Sequence, residues 1–263
     1  MQKVLILGHK GMLGNAVYSY LDTKKEDFVL LTTSERWDKE EFKKVLQNTE
    51  ADVIINCVGL IPQKKPTESD YKKVNIDLPI FLESLGKKII HPSTDCEFTG
   101  SIPNDIKYTK KDIRDATDVY GKSKADISTL IENNFVNTKI IRTSIIGHEG
   151  ATHLSLLDWF LNSKGEVNGF TDRYWNGITT LQWAKQCERI IKSWETFPTL
   201  NQYGTKEIAS KYTLLTIIRE VYAKDIQINE TLSPKSENKC LESDEVLPDI
   251  KTQLQELKEF YNK

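Results

Sequence analysis

Val4-Leu-Ile-Leu7-Gly8-His-Lys-Gly11-Met-Leu-Gly14 is the stretch that decides the fold. Four apolar residues without alternation read as a strand covered on both faces, the mark of a parallel sheet. Three glycines follow at G-x-x-G-x-x-G spacing, and an apolar pattern through Val17 and Leu21 then turns helical. Strand, tight glycine turn and helix N-terminus together make a cradle for a pyrophosphate, because free backbone N–H groups and the helix dipole both favour an anion. Gly8, Lys10, Gly11, Met12, Leu13 and Gly14 are the first candidate binding residues.

The alternation continues outward from this unit. Strands are expected at 28–31, 52–56, 88–91 and 139–143, and helices at 39–46, 71–85 and 118–133. The order predicts an α/β fold, a Rossmann-type doubly wound parallel sheet with a smaller interrupted C-terminal α/β substrate domain. Residues 1–146 form the nucleotide domain, and a helix at about 180–195 returns to it. Residues 147–179 and 196–263 form the substrate domain. The second strand runs into Thr32-Thr-Ser-Glu-Arg36, where an acid would grip free ribose hydroxyls and an arginine a 2′-phosphate. Glu35 and Arg36 argue in opposite directions, and Lys10 inclines the reading towards NADPH, with NADH left open. Cys57, Val58 and Gly59 leave the carboxyl end of the third strand, where a cofactor would lie beside them.

A second pair of stretches carries chemistry: His91-Pro-Ser-Thr-Asp-Cys-Glu-Phe-Thr-Gly100 and Val119-Tyr-Gly-Lys-Ser-Lys124. The first ends a strand with two hydroxyls. The second places Tyr120 and Lys124 four residues apart on one helical face. A nearby ammonium favours phenolate and lowers a tyrosine pKa towards the range of a working proton donor, while Thr94 is placed to hold a carbonyl oxygen. Tyr20 and Lys24 have the same spacing without that context and read as an ordinary surface helix end.

The bulk properties set the outer limits. A length of 263 residues accommodates one large α/β domain and a small appendage. A net charge of -2 gives no footprint for nucleic acid, and no apolar run approaches a membrane span. The chain enters its first strand at once, which reads as a cytoplasmic start without a signal segment. Cys57, Cys96, Cys187 and Cys240 lie far apart and read as reduced thiols, with no metal site indicated.

These motifs resemble the extended short-chain dehydrogenase/reductases, and within them the dTDP-4-dehydrorhamnose reductase-like sugar-nucleotide reductases. The resemblance rests on Gly8 to Gly14, Ser93 to Phe98, Tyr120 to Lys124 and Arg142-Thr-Ser-Ile-Ile-Gly147. It continues through Leu157-Asp-Trp-Phe160 and Trp175-Asn-Gly-Ile-Thr-Thr180. It implies NADPH-dependent reduction of a 4-keto group on a nucleoside-diphospho-deoxysugar, supplying deoxysugar units for polysaccharide or glycan synthesis. Tyr120 would be the proton donor, Lys124 would hold the nicotinamide ribose, and Thr94 would bind the substrate ketone. Ser93 and Asp95 would shape the turn, Ser93 also touching the cofactor and Asp95 and Cys96 the substrate, and Asn75 matches an asparagine that supports the catalytic helix and lies at the cofactor. One departure stands out: related reductases carry Gly-Glu where this chain has Ile127-Ser128. Epimerisation or dehydration, with Cys96 and Glu97 as extra acid–base groups, and a non-catalytic NADP-binding regulatory subunit are the alternatives. A homodimer is left open.

Beyond Gly147 the expectations are coarser. Residues 99–117 form a polar loop over the site entrance, and His148 and His153 sit in an exposed exit loop. Arg173, Tyr174, Trp175 and Asn176 mix aromatics with hydrogen-bonding groups, which suits substrate contact. Lys206 and Lys211 are candidates to meet a pyrophosphate. The lysine-rich segment 234–239 reads as a solvated loop.

Overall fold

The computed structural model describes residues 1–150 and 154–262. Six parallel strands form the central sheet, in the spatial order Leu200–Gln202, Thr138–Arg142, Lys88–Ser93, Val53–Asn56, Gln2–Leu7, Phe28–Thr32. The Rossmann-type expectation holds. The chain leaves Gln2–Leu7 towards one neighbour and returns to its other side with Val53–Asn56, so the order reverses at the strand that feeds the glycine turn. That reversal opens a crevice at the carboxyl ends of the strands, where ligands of such sheets bind.

Alternation along each strand divides the core into two layers. Val4, Ile6, Val53, Ile55, Ile90 and Ile141 face one way and pack under Leu13, Val17 and Leu21 of the Met12–Asp22 helix. Trp183, Cys187, Ile190 and Ile191 of the Thr180–Lys192 helix complete this layer. Leu5, Leu7, Ile54 and Ile89 face the other way, against Phe42, Leu46, Leu78 and Leu82. Burial on both faces explains the unbroken apolar runs.

The sixth strand, Leu200–Gln202, lies in a segment the sequence reading gives wholly to the substrate domain. Its three residues carry no apolar run, yet all are buried. Asn201 and Gln202 are accommodated because their amides donate to the Ile140, Pro198, Tyr108 and Glu242 carbonyls.

The smaller lobe has its own core of Leu157, Phe160, Trp175, Leu214, Ile218, Leu254 and Leu257. Helices Lys211–Tyr222 and Ile250–Tyr261 are capped by Ser210 and Asp249, whose side chains accept from backbone N–H groups in the first turn. Short strands finish the lobe: Glu166–Phe170 pairs with Gln227–Thr231, and Arg173–Trp175 lies between Ala209–Ser210 and Glu237–Asn238. Among the described residues no helix is long and apolar enough to cross a membrane.

Candidate active site

The glycine turn forms one wall of the crevice. Gly8 has φ +73°, a left-handed conformation that favours glycine. A methyl group on Gly14 would overlap the Gly8 carbonyl, so the helix start packs directly on the turn. Gly11 caps the helix, and the N–H groups of Met12, Leu13 and Gly14 have no partner within it. The Leu13 side chain is buried in the core, which leaves only its backbone to face the crevice.

Beside the turn is a cleft of about 280 Å³ lined by Lys10, Thr33, Ser34, Arg36, Trp37 and Val58, among others. Arg36 donates from Nε to Asp38 Oδ1 at 3.2 Å and is otherwise exposed. Trp37 and Phe42 also line this cleft and are absent from the sequence reading. A tryptophan directly after the Thr32 to Arg36 strand end was the available signal. Cys57 packs on the sheet core, and burial pushes its thiol pKa well up.

Asn75 sits in a π-helical turn, Lys72–Asp77, and is fully buried. It accepts from the Leu60 N–H at 3.0 Å and donates to the Leu60 carbonyl at 3.3 Å and to Ser123 Oγ at 3.1 Å. Its amide therefore ties the segment after Gly59 to the helix of Lys124. Asn75 is thus a buried, satisfied amide rather than an exposed helix position.

Thr94, Tyr120 and Lys124 converge at the ends of Lys88–Ser93 and Val119–Asn134. Asp118 caps that helix by accepting from the Gly121 N–H at 2.9 Å. Thr94 Oγ1 accepts from the Cys96 N–H at 3.1 Å and donates to Asp95 Oδ1 at 3.0 Å, with the Tyr120 phenol close enough to feel the hydroxyl. Lys124 is 5 % exposed and donates to the Pro92 carbonyl at 2.9 Å. Burial brings its ammonium down to about 8, with the Glu97 carboxylate opposing.

The expected lowering of the Tyr120 pKa is not what the geometry produces. Burial raises it far above its ordinary value, the Thr94 hydroxyl only partly opposes this, and Lys124 is turned to Pro92. The phenol is thus fully protonated at neutral pH, the form a proton donor needs.

Beneath Thr94 lies a buried network that the sequence reading does not contain. Glu97 is fully buried and pairs with Arg114 Nε at 2.7 Å and Arg142 Nη2 at 2.6 Å. It also accepts from Ser93 and Ser128, the latter at 2.5 Å. Ser93 accordingly faces this network. The Ser128 hydroxyl thus meets a carboxylate supplied from the strand-end turn.

The smaller lobe contributes charge across the crevice. Lys211 lies near Asp95, Cys96, Glu237 and Arg173, and burial lowers its pKa against the pull of Asp95. Lys239 pairs with Glu237 at 3.2 Å and is 16 % exposed, while Arg173 pairs with the same carboxylate at 2.6 Å. Of the solvated loop expected at 234–239, residues 234–236 are exposed, while Glu237–Asn238 pairs with Arg173–Trp175 and draws Lys239 in beside Glu237. Lys206 stays exposed on the surface.

Trp175 and Asn176 are also corrected. Trp175 is 5 % exposed, sits in the lobe's core and donates from Nε1 to Ser144 Oγ at 2.9 Å. Asn176 donates both amide hydrogens to the Thr205 and Leu241 carbonyls and accepts from the Leu241 N–H, and it is buried. The 99–117 loop is strapped to the smaller lobe through Tyr108, whose N–H donates to the Cys240 carbonyl and whose ring stacks on Phe98. His148 is anchored between Asp158 at 2.9 Å and Tyr222 at 3.0 Å rather than solvated; His153 lies outside the described residues. Tyr20 donates to Glu188, with Lys24 over its ring at 5.7 Å.

Comparison with known proteins agrees with this architecture. The family described as RmlD substrate binding domain matches residues 1–241. The dTDP-4-dehydrorhamnose reductase of Clostridium acetobutylicum superposes with a TM-score of 0.84 at 19% identity, covering 99% of this chain and 100% of that one. The enzyme of that name from Bacillus anthracis, solved in complex with NADP, gives 0.83 at 14% identity over 100% and 99%. The ADP-L-glycero-D-manno-heptose-6-epimerase of Helicobacter pylori gives 0.81 at 12% identity over 100% and 97%. No curated protein matches the chain.

Proposed function

Because the chain belongs to the RmlD substrate binding domain family, we propose that it reduces the 4-keto group of a nucleoside-diphospho-deoxysugar with NADPH. The observation that carries this reading is the meeting of Thr94, Tyr120 and Lys124 at the mouth of the glycine-turn crevice. The residues fit a dinucleotide. The unpaired N–H groups of Met12 to Gly14 suit the pyrophosphate, Trp37, Phe42 and Val58 supply an apolar cleft for the adenine, and Lys10 and Arg36 suit a 2′-phosphate. The NADP held by the Bacillus anthracis structure accords with that choice.

When bound, the nicotinamide supplies the hydride. The chain's own part is to hold the ketone oxygen on the Thr94 hydroxyl and deliver the Tyr120 proton to it as charge develops there. Lys124, ammonium at neutral pH with its value near 8 and anchored on the Pro92 carbonyl, holds the ribose. Arg173, Lys211 and Lys239 present cations where the diphosphate of the substrate would cross to the smaller lobe.

Epimerisation calls for further acid–base groups. The Cys96 thiol is held protonated by burial, up to about 12, and Glu97 is spent on two arginines. Both candidates are thereby withdrawn, which favours reduction. The test is NADPH oxidation at 340 nm with a panel of 4-keto-6-deoxysugar nucleotides, beside Tyr120→Phe. Sugar-dependent oxidation that falls by roughly 100-fold or more in the variant supports the reading. NADPH binding without oxidation of any panel member overturns it.

A further inference from the structure

We propose that Glu97 is a positioning residue for this reaction, its carboxylate locking the strand end that carries Thr94 to the helix that carries Tyr120 and Lys124. The inference rests on the reductase reading for its catalytic consequence. Its geometry stands independently. One buried carboxylate accepts from Ser93, the residue before Thr94, and from Ser128, one helical turn beyond Lys124. The same group meets Arg142 on the neighbouring strand and Arg114 of the entrance loop. Arg142 in turn donates to Gln202 Oε1 at 2.9 Å, and Arg114 reaches Thr129 and Glu132 on the outer face of the helix. Four segments that are far apart in sequence are thus held by a single side chain.

Two further observations link the network to the reacting groups. Glu97 opposes the effect of burial on Lys124, so it acts as a counter-charge for that ammonium. The other titratable group against Lys124 from a neighbouring element is His91, kept neutral by burial, and Tyr120 precedes Lys124 by one turn. The turn bearing Glu97 also abuts the helix start, since a methyl group on Gly121 would overlap the Cys96 carbonyl. Any relaxation of Glu97 therefore moves Thr94 relative to Tyr120.

The Ser128 hydroxyl donates to the Glu97 carboxylate, so a carboxylate introduced at position 128 would enter the same network from the helix side. This supplies a decisive set of variants: Glu97→Gln, and Glu97→Val combined with Ser128→Glu. The readouts are the titration of Lys124, followed by its 13Cε shift and assigned against Lys124→Arg, and the pH profile of sugar-dependent NADPH oxidation. For Glu97→Gln, the Lys124 titration is expected to fall by about half a pH unit or more, and kcat by roughly 10-fold to 100-fold. The double variant, with its carboxylate returned from the helix side, is expected to recover both. A folded Glu97→Gln protein with Lys124 titration and kcat unchanged overturns the proposal. Should Glu97→Gln not fold, the double variant decides: wild-type titration and rate support it, and a displaced titration with a low rate overturns it. A wild-type chain that reduces no keto-sugar nucleotide removes the reductase reading instead, and leaves the Lys124 titration to judge the coupling.

Discussion

Gly121 packs against Cys96 so closely that a methyl group on its Cα would overlap the Cys96 carbonyl oxygen. The helix carrying Tyr120 and Lys124 thereby sits directly on the turn that follows Thr94. Gly121→Ala is expected to force these elements apart, at a cost of about 1–3 kcal/mol in stability. Because the displaced turn carries Thr94, turnover should drop by more than the stability loss explains. Thermal melting and kcat measured on the same preparation separate the two effects.

The glycine cradle makes a parallel prediction for cofactor binding. In Gly14→Ala the added methyl meets the Gly8 carbonyl, a backbone group that cannot rotate away. The turn must open, and NADPH affinity should fall by roughly 10-fold or more while far-UV circular dichroism stays unchanged. A fluorescence titration with NADPH checks it.

Cofactor choice should depend on the two cations of the cleft. Lys10 and Arg36 line it beside Glu35, an acid that would favour a free ribose. Lys10→Ala with Arg36→Ala is expected to lower kcat/KM for NADPH by about 10-fold or more and to leave the value for NADH nearly unchanged. Equal losses with both cofactors would sink this assignment.

His91 predicts an acid-sensitive stability. It is 1 % exposed, with Asn56 donating to Nδ1 at 3.2 Å and Nε2 without a partner, and burial holds its pKa well below the ordinary 6.5. The unfolded chain therefore takes up a proton that the folded chain refuses. Above pH 6.5 both states are neutral and the group has no effect. Below it, stability declines by up to about 1.4 kcal/mol per pH unit until the folded value is reached. Urea titrations at a series of pH values should show this slope, and His91→Leu should lack this part of it.

How much of this was legible differs sharply between apolar and polar residues. Burial on both faces writes a parallel strand as an apolar run, so Val4–Leu7 and Val53–Asn56 could be read directly, and Gly8 to Gly14 marked the turn between strand and helix. The placing of Tyr120 and Lys124 on one helix and of Thr94 at a strand end could be read because helical spacing and strand ends are local properties. Trp175 and Asn176 misled, since a cluster of aromatic and amide groups looks alike whether it meets a ligand or a carbonyl of its own chain.

Local periodicity, glycine placement and the order of strands and helices determined the doubly wound sheet and the neighbourhood of its site from the sequence alone. Only the tertiary structure decided which polar groups are buried. Asn201 and Gln202 lie inside a sheet, Glu97 lies under Thr94, and Lys239 faces the crevice because each meets partners brought together from elsewhere in the chain. A buried charge or amide is tolerated only where such partners satisfy it. Those partners are fixed by folding in three dimensions, and residue type at a single position carries no record of them.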